Sequence, residues 1–119
     1  MKEFNLDVDK LRHFLFRVSQ HYNLAPFHNM THAFNVSHMC FWIITAEESD
    51  VDANYLSQIF TPLDKLIMLI SCIGHDLDHP GLGNTYFVKA GHMIAQTVNN
   101  QSVLEHFHAL TLFKLLDES

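Results

Sequence analysis

Apolar positions recur along this chain at helical spacing, and no segment alternates in the manner of a strand. In "DVDKLRHFLFRVSQHY", Val8, Leu11, Leu15, Val18 and Tyr22 fall three or four residues apart behind Asp7, an acceptable N-cap. This predicts an amphipathic helix over about residues 8–22, with Pro26 closing the turn that follows. The stretch "NMTHAFNVSHMCFWIITA", from Asn29 to about Ala46, is apolar on more than one face, as expected of a helix buried between neighbours. Acidic loop residues, "EESDVDAN", break it. After a short apolar patch, "YLSQIF", comes "TPLDKLIMLISCIGHD", in which Thr61 as N-cap, Pro62 at the first helical position and Asp64 form a helix-start signature.

Pro80, Gly81 and Gly83 predict a turn, and "NTYFVKAGHMIAQTV" a shorter helix. Ser102 and Glu105 have capping-box spacing at the head of "SVLEHFHALTLFKLLDE". With no repeat and no low-complexity linker, the fold class is all-α. Leu104, Leu110, Leu112, Phe113, Leu115 and Leu116 give the last helix a broad apolar face that nothing before Ser119 remains to cover. The expectation is a fragment of a larger helical domain, able to self-associate through exposed apolar helix faces.

Composition narrows the function classes. With 119 residues, 48% of them hydrophobic, the chain is long enough for one domain with a core. A net charge of −6, with seven scattered Lys and Arg, argues against a nucleic acid polymer as partner. Cys40 and Cys72 lie in apolar helical patterns without C-x-x-C spacing, so both are expected to be buried free thiols in a reducing compartment, the cytoplasm. The apolar run Leu66 to Ile73 is far short of the roughly 20 residues a membrane span needs. Histidine stands out, at ten residues.

The chemistry concentrates in "IGHDLDHPG", where His75, Asp76, Asp78 and His79 crowd into five positions after an apolar run. Burying such groups requires pairing, hydrogen bonding or a bound ion. His28 and His32, in "FHNMTH", would share one face if their helix starts early enough to include both. Two histidines and a carboxylate from two helices make a usual set for a divalent transition metal, and a shared carboxylate can hold a second, harder ion. Plainer readings exist for some of these residues: Asp78 and His79 as a helix cap paired with each other, Glu105 as the partner of Ser102.

"FHNMTHAFNVSH", "HDLDHPGLGNTY" and "SVLEHFHALTLFKLL", in this order, resemble the N-terminal part of the catalytic domain of class I 3′,5′-cyclic-nucleotide phosphodiesterases. The resemblance covers the chain from about Leu6, so that residues 1–119 read as a partial catalytic domain. Pro26-Phe27 before His28 and "NTY" after the turn lean toward the high-affinity cGMP-specific branch. The implied fold is the multi-helix, HD-superfamily type. The implied reaction is hydrolysis of cyclic nucleotides, cGMP favoured over cAMP, to 5′-nucleoside monophosphates by a two-metal hydroxide mechanism.

Residue by residue, the resemblance implies that His32, His75 and Asp76 hold a tight Zn²⁺. Asp76 would also bridge to a second ion, Mg²⁺ or Mn²⁺. His28 matches the histidine that protonates the leaving O3′, His79 and Glu105 match groups bonded to waters around the second ion, and Asn84 matches a position near the substrate. The family's later metal-ligating aspartate and its purine-holding residues have no counterpart before Ser119. The usual "ENHH" is replaced by Glu105-His106-Phe107-His108. Two other readings follow from the same residues: a catalytically inactive truncated isoform acting by association, and another HD-type metal phosphohydrolase, against which the Pro-Gly turn argues.

Overall fold

The computed structural model describes residues 4–45 and 59–118, and all the regular structure among them is helical. The helices are α1 (Val8–Gln20), α2 (Met30–Thr45), α3 (Pro62–Gly74), α4 (Asn84–Lys89), α5 (Met93–Thr97) and α6 (Val103–Asp117). The acidic "EESDVDAN" and residues 55–58 of "YLSQIF" lie outside the described residues.

Each boundary has a local cause. The Asp7 carboxylate accepts from the N–H groups of Asp9 (2.9 Å) and Lys10 (3.3 Å), which starts α1. The helix stops at Gln20, two residues before the expected end, because His21 turns away and its N–H bonds the Val18 carbonyl. Asn29 accepts from the N–H groups of Thr31 and His32, which opens α2 at Met30. His28 therefore precedes the helix, so the condition for His28 and His32 to share one helical face is not met. At α3 the reciprocal box is complete: Thr61 Oγ1 accepts from Asp64 N–H, and the Asp64 carboxylate accepts from Thr61 N–H at 2.9 Å.

The segment expected to hold one short helix holds two. Gly91, at φ 60°, turns the chain between α4 and α5, and His92 Nδ1 caps the second. At the head of α6 the expected box is absent. Ser102 sits in left-handed geometry (φ 45°) with no side-chain cap, and the Asn84 amide oxygen accepts the Leu104 N–H instead, at 2.8 Å.

The core has two parts. Phe14, Val18 and Tyr22 of the α1 segment meet Ala33, Ile73, Leu77 and Leu115, with Leu11 and Ile70 packed against them. The buried stripe thus runs 11–14–18–22; Val8 and Leu15, also expected in it, stay more than 40% exposed because they sit to one side of that line. Phe87, Ala95, Val103 and Leu104 join α4 and α5 to the start of α6. A Cβ at Gly74 would stand 2.7 Å from Leu112 Cδ1, so glycine there lets the end of α3 meet α6 closely.

Two helices keep apolar faces uncovered among the described residues. Phe34, Met39, Phe41 and Trp42 of α2, expected to be buried, are more than half exposed, as are Leu110 and Phe113 of α6. Cys40 is buried and Cys72 half-buried, both free. Burial, with Cys40 alongside, pushes the Cys72 thiol up to about 11. No helix among the described residues is long and apolar enough to cross a membrane.

Candidate active site

Where α3 ends, the chain turns through His75, Asp76, Leu77, Asp78 and His79 instead of continuing as helix. Asp78 adopts φ 56° and Gly81 φ 76°. Pro80 and the left-handed Gly81 fold the backbone back so that Gly81 N–H donates to His79 Nδ1 at 3.0 Å. The "DHPG" run is thus a device for fixing an imidazole.

Asp76 is the hub, only 9% exposed. Its Oδ2 lies 3.1 Å from His75 Nε2 and 3.6 Å from His32 Nε2, and the two imidazole nitrogens are 3.3 Å apart. Atoms that share one tetrahedral ion at metal–ligand distances of 2.0–2.2 Å stand about 3.3 Å apart. These three edges match, so His32, His75 and Asp76 fit a common cation. The other oxygen, Oδ1, faces His108 Nε2 at 4.0 Å, wider than adjacent corners of one such site.

Hydrogen bonds at Nδ1 sort the histidines by chemistry. A carbonyl oxygen only accepts, so His75 Nδ1 against Cys72 O (2.8 Å) and His108 Nδ1 against Leu77 O (2.6 Å) must carry the protons. Both rings then turn an Nε2 lone pair toward Asp76, the arrangement that prepares a histidine to ligate. His79 is the reverse. Its Nδ1 accepts from Gly81, so in the neutral ring Nε2–H is a donor. Burial, followed by the neighbouring His28, holds its pKa below the ordinary histidine value, which disfavours its charged form. Although His79 Nε2 or Nδ1 lies close enough to Asp76 and His108 to suggest a second ligand set, this tautomer makes it a hydrogen-bond donor.

His28 stacks on His79, ring centroids 3.8 Å apart and planes 12° from parallel. Together with His75, Asp76, Glu105 and His108, these two line a cavity of about 640 Å³ whose apolar wall includes Leu112 and Phe113. Glu105 reaches it from the first turn of α6. The Asn84 amide donates to Glu105 at 2.9 Å, and that bond holds the carboxyl below the usual carboxylate range. Asn84 itself is not among the lining residues; both ends of its amide are spent on Glu105 and Leu104 N–H. Of the residues that depart from "ENHH", His106 bonds the Ser102 carbonyl on the surface, and Phe107 packs beside His108 with ring centroids 6.0 Å apart.

The sequence profile of the 3′5′-cyclic nucleotide phosphodiesterase family matches residues 27–119. The chain belongs to this family. The chain is 42% identical over 117 residues to the high affinity cGMP-specific 3′,5′-cyclic phosphodiesterase 9A of Drosophila melanogaster, covering 98% of itself and 7% of that protein. It is 34% identical over 108 residues to the dual 3′,5′-cyclic-AMP and -GMP phosphodiesterase 11 of the same organism, covering 91% of itself and 7% of that protein. The crystal structure of the phosphodiesterase domain of the RhoPDE fusion protein from the choanoflagellate Salpingoeca rosetta superposes with a TM-score of 0.84 at 36% identity, over 97% of this chain and 34% of that one. The chain therefore spans a small part of its curated relatives' length and about a third of that solved domain, and the all-helical fold agrees with it.

Sequence reasoning did not single out His108, His21 or Tyr22 as site residues. Glu105 and His108 at i, i+3 on a helix were a usable signal for the first, since that spacing puts both on one face. Tyr22 looked like the last member of an apolar stripe. Its hydroxyl in fact donates to the Ile73 carbonyl at 2.9 Å and receives Asp76 N–H at 3.3 Å. Burial, with the Asp76 charge adding to it, pushes the phenol up to about 12, so it stays protonated as a donor.

Proposed function

We propose that residues 1–119 form part of a catalytic domain that hydrolyses 3′,5′-cyclic nucleotides, cGMP in preference to cAMP, to 5′-nucleoside monophosphates. The observation that carries the reading is the Asp76 carboxylate, with the Nε2 atoms of His75 and His32 at 3.1 and 3.6 Å from one oxygen and His108 Nε2 at 4.0 Å from the other. His32, His75 and Asp76 would hold Zn²⁺, and Asp76 Oδ1 would face Mg²⁺ or Mn²⁺. When bound, such ions lower the pKa of water and neutralise phosphoryl charge.

The chain's own groups supply the rest. As water adds to phosphorus and the P–O3′ bond breaks, His28 in its imidazolium form gives its proton to O3′, leaving a 3′-hydroxyl and a 5′-phosphate. His79 supports His28 by stacking, and in its neutral form carries its proton at Nε2. Glu105 and His108 offer acceptors for water protons on the Asp76 Oδ1 side. Asn84 acts on the substrate region through Glu105. The preference for cGMP rests on relatives whose names specify it, beside one named for both nucleotides.

Incubating the chain with cGMP and with cAMP in the presence of Zn²⁺ and Mg²⁺ tests the reading. The expected result is a 5′-monophosphate product, faster from cGMP, with His28→Ala slower by about 10²–10⁴ fold. Turnover of phosphomonoesters alone overturns it, while absence of any product at full metal loading favours the catalytically inactive truncated isoform. The bare faces of α2 and α6 support self-association as a second property. Light scattering that returns a monomer at all concentrations would refute it. Two free thiols support a reducing, cytoplasmic location.

A further inference from the structure

We infer that His21 and Tyr22, the two residues that follow α1, are positioning residues for the metal-ligating turn. They hold the backbone on both sides of Leu77 so that the Asp76 carboxylate meets His32 and His75. The inference rests on the metal reading above.

Four polar contacts carry it, all from this dipeptide. Tyr22 Oη donates to the Ile73 carbonyl in the last turn of α3 and accepts the N–H of Asp76. The His21 carbonyl accepts the N–H of Asp78 at 2.7 Å. His21 Nδ1 meets the Asp78 carboxylate at 2.8 Å. The turn is thus gripped at residues 73, 76 and 78, bracketing the hub.

The turn needs such a grip. Asp76 has left the helical ladder, and the Cys72 carbonyl, which a continuing helix would offer its N–H, is engaged by His75 Nδ1. The turn's own backbone bonds are few: Leu77 N–H to Gly74 O at 3.4 Å and His79 N–H to Asp76 O at 3.1 Å. Asp78 is left-handed, a geometry that costs a non-glycine residue free energy and persists where surrounding contacts over-determine it. Tyr22 is anchored in the core with Val18 and Leu77, so the grip has a rigid base. A shift of Asp76 by a fraction of an ångström would spoil a set of ligand atoms whose edges lie within half an ångström of one another.

Co²⁺, which absorbs visibly in His and carboxylate sites, is the probe. It is titrated into the 119-residue chain and into Tyr22→Phe, His21→Ala, His21→Asn and His75→Ala, with far-UV circular dichroism to establish that each is helical. The wild type is expected to bind with a visible band that His75→Ala abolishes. Tyr22→Phe and His21→Ala are expected to weaken Co²⁺ binding by about 10-fold or more, the loss typical of removing a group that orients a ligand. His21→Asn, which keeps a donor near the Nδ1 position, is expected to regain most of that loss. Hydrogen exchange in the metal-free chain should quicken at the Asp76 and Asp78 amides of the two weakened variants.

Folded Tyr22→Phe and His21→Ala chains that bind Co²⁺ within twofold of wild type, with the same band, overturn the inference. If Tyr22→Phe does not fold, the pair His21→Ala and His21→Asn decides alone, since His21 lies outside the core. A wild type that binds no Co²⁺, or binds it despite His75→Ala, overturns the metal reading itself and this inference with it.

Discussion

At the head of α3, Thr61 and Asp64 close on each other; at the head of α6, Ser102 and Glu105, at the same spacing, stay apart. The first pair spends its carboxylate on its own helix. In the second, Asn84 arrives from α4, accepts the Leu104 N–H, one of the unpaired donors of the first turn, and holds Glu105 by the other end of its amide. The carboxylate freed from capping is one of those that line the cavity. One helix start is closed and structural, while the other is opened by a third residue and its acid is made available for chemistry.

The sharpest way to break that contrast is Asn84→Ala. It strips the part-buried Leu104 N–H of its acceptor and Glu105 of its anchor, and should destabilise the chain by about 1–2 kcal/mol in urea unfolding. Glu105 should then titrate nearer the ordinary glutamate value, read from its side-chain carbon resonance. The sign follows from the depressed carboxyl: its contribution to stability is present above the unfolded-state pKa and is lost as pH falls through the folded-state value. The gap between wild type and variant should therefore narrow in acid, and only slightly, because Glu105 is exposed and solvent screens it. A gap that widens in acid would show that Asn84 acts on something other than this carboxylate.

Local signals in the sequence went as far as local physics reaches. Thr61-Pro62 with Asp64, the Asp7 cap and the helical periods were legible because each is decided within one turn of chain. The set His32, His75 and Asp76 was implied by the family resemblance of their motifs, and the structure places their ligand atoms within 3.6 Å of one another. The failures have a common cause as well. Ser102 lost its cap to a residue eighteen positions earlier. Tyr22 reads as apolar in any hydropathy pattern, yet its hydroxyl is tied to a backbone amide more than fifty residues away. Long-range polar contacts leave no periodicity, and the site is made of them.

A smaller test sharpens the contrast at the caps themselves. Thr61→Ala removes the Oγ1 that accepts the Asp64 N–H, and a lost threonine N-cap costs about 1 kcal/mol. Ser102→Ala removes a hydroxyl that caps nothing, so its effect should stay within about 0.5 kcal/mol, the range of surface substitutions with no special role. Ser102→Gly adds a check on the backbone: glycine adopts φ 45° freely, which relieves strain, while its greater freedom in the unfolded chain offsets part of the gain, so the variant should match or slightly exceed wild type. Urea midpoints for the three, measured together, separate the two helix heads. Were Ser102→Ala to cost as much as Thr61→Ala, Ser102 would have to be capping α6 in solution, and Glu105 would then be its box partner and no longer free to face the cavity.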